Sequence, residues 1–351
     1  MTPSENRSTA WLSGYIPDLP TPFDPNGEID LDAFSVLCER QIKAGVSALV
    51  VCETAGEAST LSSAERDILI RTAIDIARGR VRVIAGAGSN STSQAIELTQ
   101  HAEAVGADAV LSVVPYYNKP MQDGIYSHFR SIAESTRLPV ILHDIPTRTV
   151  RELGNSTLVR LAEYKHFIGL RDGSGDVSRP LSLGPLLPPH FRLLTGDDTT
   201  TLAYVASGGD GCVSTVCNVI PGLCRIFPNG GEGWLPTSCE LQRRLMPLHV
   251  CLSGIDPAAL KYALSLRGFM HPTTRLPIVP LDEPAKAAIN EAVAGIREHE
   301  FAPIDGQHRM MGPLGASDLC KPYIADAVSP SNSYTPSTIF ADATLVPNSR
   351  K

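Results

Sequence analysis

Between residue 14 and about residue 218, short apolar runs alternate with amphipathic segments of helical length. That is the pattern of repeated strand–helix units feeding a parallel sheet. The runs occupy residues 15–19, 48–52, 81–85, 109–114, 139–143, 167–171, 192–195 and 211–214. Each is rich in Val, Ile and Leu, as strands buried on both faces are. Eight such runs are the number that closes a (β/α)8 barrel. A doubly wound open sheet would alternate in a similar way, and the count favours the barrel.

The helical segments carry their own signals. Ser62-Ser63-Ala64-Glu65 has capping-box spacing, and Ile70, Ala73, Ile74 and Ala77 then recur on one face. Asn90-Ser91-Thr92 offers N-caps to the next helix, whose stripe is Ala95, Leu98, Ala102 and Val105. After residue 218 the alternation stops and helical text continues over 241–252, 257–266 and 285–297. The expected organisation is a barrel over 14–218, a helical region over 219–300 packed on it, and a tail over 301–351. That tail lacks periodicity and is rich in Pro and Ser, so it is expected to be disordered or loosely attached. Pro228, Gly230, Gly231, Gly233 and Pro236 should break any helix over 227–236.

Composition narrows the class of partner. The chain has 351 residues, 43% hydrophobic and 19% charged, as in a soluble globular protein with a sizeable core. A net charge of −7 and the lack of a basic run give no footprint for nucleic acid. No stretch has the apolar length of a signal peptide or a membrane span. The eight cysteines form no CxxC pair and read as reduced thiols of a cytoplasmic protein. A small-molecule partner is expected, with no membrane, nucleic acid or cofactor.

In barrels the chemistry sits at the C-terminal ends of the strands. Strand two ends in Cys52-Glu53-Thr54-Ala55-Gly56-Glu57, strand four in Pro115-Tyr116-Tyr117-Asn118-Lys119-Pro120, and strand five in His143-Asp144-Ile145-Pro146-Thr147-Arg148-Thr149. Strand six ends in Arg171-Asp172-Gly173-Ser174-Gly175, strand seven in Thr195-Gly196-Asp197-Asp198, and strand eight in Val213-Ser214. Asp197-Asp198 lacks a third convergent ligand, so no metal is expected. Gly208-Gly209-Asp210-Gly211 lacks the Lys-Ser/Thr sequel of a phosphate loop and reads as a turn.

Several of these motifs stand in register with one known family. Leu19-Pro20-Thr21-Pro22-Phe23, Ala85-Gly86-Ala87-Gly88, and the segments 115–120, 145–149, 196–198 and 208–209 resemble the dihydrodipicolinate synthase / N-acetylneuraminate lyase family over about 14–293. The resemblance implies a lyase acting on pyruvate or a related 2-oxo acid, in which a lysine forms an imine and a hydroxyl-rich loop after strand two holds the carboxylate. It also implies a homo-oligomer, dimer or tetramer, in which one subunit lends a tyrosine to the next. Position by position, Thr54 matches the first loop hydroxyl, while Ala55 stands at the second and Glu53 at the preceding glycine. Tyr117 matches the lent tyrosine, Arg148 the arginine that holds the second substrate's carboxylate, and His143 takes the place of a proton-shuttling tyrosine. The lysine position is Arg171.

Arginine stays protonated and offers no neutral amine, so it cannot form an imine. It can bind a planar oxyanion through paired hydrogen bonds. The expected catalytic set is therefore Arg171, His143, Thr54 and Tyr117, with Ala55, Arg148, Val213 and Glu53 binding substrate and no metal. Each also has a plainer reading. Arg171 could pair with Asp172, Glu57 or Asp197; His143 could be a satisfied core histidine; Tyr116 and Tyr117 could only pack at a subunit contact. Glu53 would repel an acid unless Arg171 neutralises it, which favours a Glu53–Arg171 pair. Two functions follow: a family lyase on a 2-oxo acid without the usual imine, or an inactive member acting as a small-acid binder or regulator. An Arg171→Lys replacement is expected, on the sequence alone, to restore imine formation with pyruvate.

Overall fold

A computed structural model describes residues 9–222, 234–252 and 257–296. Its strands are β1 (Gly14–Pro17), β2 (Ala48–Val51), β3 (Arg82–Gly86), β4 (Ala109–Val113), β5 (Val140–Asp144), β6 (Phe167–Asp172), β7 (Arg192–Thr195) and β8 (Gly211–Ser214). All eight fall on the runs expected from sequence, with ends displaced by no more than two residues. They pair in parallel in the order β1-β8-β7-β6-β5-β4-β3-β2. The ring closes through a parallel bridge between Asp18 and Val50 and a 2.9 Å bond from Leu19 N–H to the Val50 carbonyl. The fold is a (β/α)8 barrel with added C-terminal helices.

The helices are α1 (Leu31–Ala44), α2 (Ser63–Ala77), α3 (Thr92–Val105), α4 (Gln122–Glu134), α5 (Pro146–Thr149), α6 (Asn155–Ala162), α7 (Arg179–Leu183) and α8 (Thr201–Ala206), followed by α9 (Trp234–Leu252), α10 (Pro257–Ser265) and α11 (Glu283–Ala294). The capping box at α2 forms as expected. The Ser62 hydroxyl accepts from Glu65 N–H, and the Glu65 carboxylate accepts from Ser62 N–H at 2.8 Å. At α3, Ser91 is the N-cap but its side chain makes no capping bond, and the Thr92 hydroxyl instead meets His128 Nδ1 at 2.9 Å.

Pro236 does not break a helix but is the third residue of α9, where a first-turn proline loses no intrahelical hydrogen bond. Residues 223–233, which hold the other breakers, and the 301–351 tail lie outside the described residues.

Two apolar shells hold the barrel. Leu12, Ile16, Ala48, Val50, Ile84, Ala109, Leu111, Ile141, Ile168, Leu194 and Val213 fill its interior as a plug. The intervening strand residues face the helices. A further cluster joins Tyr15 and Cys212 of the barrel to Leu245, Leu248, Leu260 and Leu264, so α9 and α10 pack on the β1–β8 side. No helix among the described residues is long and apolar enough to cross a membrane.

Candidate active site

Pleat alternation, with two departures from it, decides which side chains reach the barrel mouth. On β2, Ala48 and Val50 face the interior while Leu49 and Val51 face helices. Strict alternation would next turn Cys52 inward and Glu53 outward. Cys52 instead has a φ of 59°, a left-handed conformation that costs a non-glycine residue roughly 1 kcal/mol or more. Its side chain joins the outer cluster, and Glu53 turns inward. Gly86 of β3 makes this approach possible, because a Cβ there would stand 2.1 Å from the Cys52 carbonyl oxygen.

The second departure is a bulge in β6. Val140 is in register with Phe167 but Ile141 with Gly169, so β6 carries one extra residue. Beyond it Leu170 faces outward, and Arg171 comes into register with His143, which follows inward Ile141 and outward Leu142. On β1 the alternation holds, and Asp18 lies two residues beyond inward Ile16. Bulges commonly re-aim a side chain in this way beside active sites.

The result is one buried polar cluster on an apolar floor. Arg171 Nη1 donates to Asp18 Oδ2 at 2.9 Å and to Glu53 Oε2 at 3.1 Å. Glu53 Oε1 lies 3.0 Å from His143 Nδ1. The N–H and hydroxyl of Thr54 both donate to Glu53 Oε2, and the Ala55 N–H reaches Asp18 Oδ2 at 3.5 Å. Asp18 is 0% exposed, His143 1%, Arg171 4% and Glu53 8%. A carboxylate with this many donors is ionised and can only accept, so the shared proton sits on His143 Nδ1 and Nε2 presents a lone pair. His143 Nε2, Asp18 Oδ1 and Arg171 Nε find no hydrogen-bond partner among the described residues.

Burial and charge set the protonation states. Burial pushes His143 below its ordinary value against the pull of Glu53, so the imidazole is neutral at pH 7. Burial also opposes ionisation of Glu53, but the charge that His143 carries once protonated at low pH, its hydrogen bond and the charge of Arg171 outweigh burial and hold that carboxyl far below the usual range. Asp18 is pushed up to about 6 by burial, against Arg171 and with help from the negative charge of Glu53.

A stability prediction follows from the Asp18 shift. Between its ordinary value of 3.8 and about 6, the folded state keeps a proton that the unfolded state has released, so this group's contribution is lost as pH rises through that window. Asp18→Asn removes the effect. Thermal unfolding at pH 4 and pH 7 should show the variant gaining on the wild type as pH rises. A gap that is constant or moves the other way would contradict the assignment.

Behind this cluster the strand ends are clamped from outside. Asp144 and Asp172, the outward neighbours of His143 and Arg171, share Arg179 Nη1 at 2.8 and 3.0 Å, and Tyr204 donates to Asp172 at 3.2 Å. The loop after β2 is held by another buried pair, Lys261 of α10 with Glu57. The Arg275 N–H donates to Glu57 at 2.9 Å, and Lys261 stacks its ammonium 3.9 Å from the Phe23 ring centre. Burial lowers Lys261 to about 8 despite Glu57.

Of the residues singled out in the sequence, Arg171, His143, Glu53, Thr54 and Ala55 come together. The Glu53–Arg171 pair is present, but the other partners considered for Arg171 are engaged elsewhere. Asp172 goes to Arg179, Glu57 to Lys261, and Asp197 to the hydroxyls of Thr199 and Thr200. Val213 is buried in the apolar plug with Ile16 and Leu194. Arg148 is exposed on α5, from where its charge still depresses His143. Tyr117, with a φ of 70°, is 89% exposed, so within one chain it stands outside the cluster. Asp18, Arg179 and Lys261 were not anticipated. Their signal was a charged residue inside or beside an apolar run.

The sequence profile of the dihydrodipicolinate synthetase family matches residues 11–296. The chain belongs to that family. It is 42% identical over 290 residues to the 4-hydroxy-tetrahydrodipicolinate synthase of Gluconobacter oxydans, covering 82% of this chain and 98% of that one. It is 45% identical over 285 residues to the synthase of Hyphomonas neptunium, covering 80% and 97%. Among solved structures it is similar to the dihydrodipicolinate synthase of Acinetobacter baumannii complexed with pyruvate, with a TM-score of 0.78, 37% identity, and coverage of 81% and 98%. The family's synthases are lyases, and membership accounts for the barrel and its helical extension.

Proposed function

We propose that this member of the dihydrodipicolinate synthetase family is a lyase that acts on a small carbonyl compound by proton transfer at His143, without an imine. The observation that carries this reading is the 3.0 Å contact between His143 Nδ1 and Glu53 Oε1, which aims an unprotonated Nε2 away from its own carboxylate. In that arrangement Nε2 takes a proton from carbon beside the carbonyl, Glu53 stabilises the imidazolium that forms, and the Arg171 guanidinium meets charge developing on oxygen. Arg171 itself has no nucleophilic form. Burial works against its charge, but Asp18 and Glu53 outweigh burial and hold it above its ordinary value.

The family and the pyruvate-bound relative support a small carbonyl substrate, the class that includes the 2-oxo acids expected from sequence. We extend the reading to a cytoplasmic homo-oligomer. Cys38, Cys52, Cys212 and Cys217 are free buried thiols, and Tyr117 is an exposed aromatic that could reach a site only across a subunit contact.

The test is proton exchange in deuterated water, followed by NMR, across a panel of 2-oxo acids and hydroxyketones. Wild-type protein should exchange the hydrogens beside the carbonyl of at least one compound. His143→Gln should slow this by about 10²- to 10⁴-fold. Equal rates in the two proteins would remove His143 from the chemistry.

A further inference from the structure

Arg171 is matched by two carboxylates, Asp18 at 2.9 Å and Glu53 at 3.1 Å, while the imidazole beside them is neutral. The buried cluster of Arg171, Asp18 and Glu53 therefore carries a negative balance in spite of its arginine, with the exposed Arg148 a further cation whose charge reaches His143. The donors of Thr54 and Ala55, in the loop after β2, are also spent. Both the N–H and the hydroxyl of Thr54 go to Glu53 Oε2, and the Ala55 N–H faces Asp18 Oδ2. In effect Glu53 and Asp18 are internal carboxylates that already occupy these donors, and a second anion beside them is opposed by like charge.

What remains unused has a definite chemistry. Three atoms on side chains that are more than nine-tenths buried have no partner among the described residues: Arg171 Nε is a donor, His143 Nε2 an acceptor or base, and Asp18 Oδ1 an acceptor. Nε lies on the β7 side of Arg171, where Gly196 leaves room; a Cβ there would stand 3.2 Å away. One donor and two acceptors complement a fragment that has a carbonyl oxygen to accept and a hydroxyl to donate. A carboxylate fragment only accepts, and would leave Asp18 Oδ1 facing negative charge.

We infer that the site takes an uncharged α-hydroxycarbonyl compound, with its carbonyl toward Arg171 and its hydroxyl toward Asp18, in preference to a 2-oxo acid. The inference rests on the acid–base reading of His143 for the location of the ligand, but it concerns the ligand's charge. Buried like charges discriminate more strongly than shape here, because the two classes can be nearly identical in size.

Hydroxyacetone and pyruvate make the comparison, since they differ only in carrying CH2OH or COO− on the same acetyl group. Calorimetric titration of the wild-type protein at pH 7.5 should show hydroxyacetone binding roughly tenfold or more tightly than pyruvate. Asp18→Asn, which removes one carboxylate, should narrow that ratio by tightening pyruvate. Tighter binding of pyruvate to the wild type, or a ratio unmoved by Asp18→Asn, would overturn the inference. Exchange of pyruvate that depends on His143, with hydroxyacetone ignored, would overturn it while leaving the acid–base reading intact. Binding of neither compound would count against both.

Discussion

Replacing Arg171 with methionine is expected to cost about 3–5 kcal/mol of folding stability, the usual result of removing one partner from a buried ion pair. In a domain of this size that corresponds to a fall of about 10 °C in the unfolding midpoint. The reason lies in what is left behind: Asp18 and Glu53, 0% and 8% exposed, would share the barrel mouth with no cation between them. The loss should be larger at pH 8 than at pH 5, because uncompensated buried carboxyls are relieved by protonation as pH falls. Arg171→Lys keeps the charge and should lose much less. A methionine variant that unfolds with the wild type at pH 8 would show that the guanidinium is not what makes two buried carboxylates tolerable.

Glu53→Gln is expected to abolish most of the exchange activity while leaving the fold intact, with a loss of about 10²- to 10⁴-fold. A glutamine amide can donate to His143 Nδ1 where the carboxylate could only accept. That would move the imidazole proton to Nε2 and remove the lone pair that acts as base. The carboxylate also pulls the His143 value upward against burial, so its removal leaves a weaker base as well as the wrong tautomer. In the wild type, the lowered value predicts a rate that stays flat as pH falls through the ordinary histidine value of about 6.5 and declines only below it. An activity that survives Glu53→Gln, or an inflection above pH 6.5, would mean that the His143–Glu53 contact is only structural.

The sequence showed the barrel more plainly than the site. Eight Val/Ile/Leu runs fall on eight strands because parallel strands buried on both faces leave an unbroken apolar signature. The same property hides which face each residue takes. Neither the left-handed Cys52 nor the bulge at β6 can be read from composition, yet these two features turn Glu53 and Arg171 inward. The Glu53–Arg171 pair could be anticipated from charge alone. The His143–Glu53 contact could not, because 90 residues separate the two and no pattern links them. Asp18 lies inside the apolar run 15–19, where a carboxylate is itself the anomaly.

Asp18 and Glu53 also reverse one expectation drawn from sequence. A lysine placed at 171 would stand between two carboxylates that hold its ammonium charged, so Arg171→Lys alone should not form an imine with pyruvate. Imine chemistry at this position is therefore expected to need changes at Asp18 and Glu53 as well as at Arg171.

The claim that this barrel works through His143 without a covalent intermediate is tested most directly by borohydride trapping. Wild-type protein would be incubated with whichever carbonyl compound it exchanges, reduced with borohydride, and weighed intact by mass spectrometry. The predicted result is an unchanged mass in a sample that is exchanging protons. A stable mass increase matching the reduced adduct, mapped to Lys119, Lys261 or any other lysine, would contradict it.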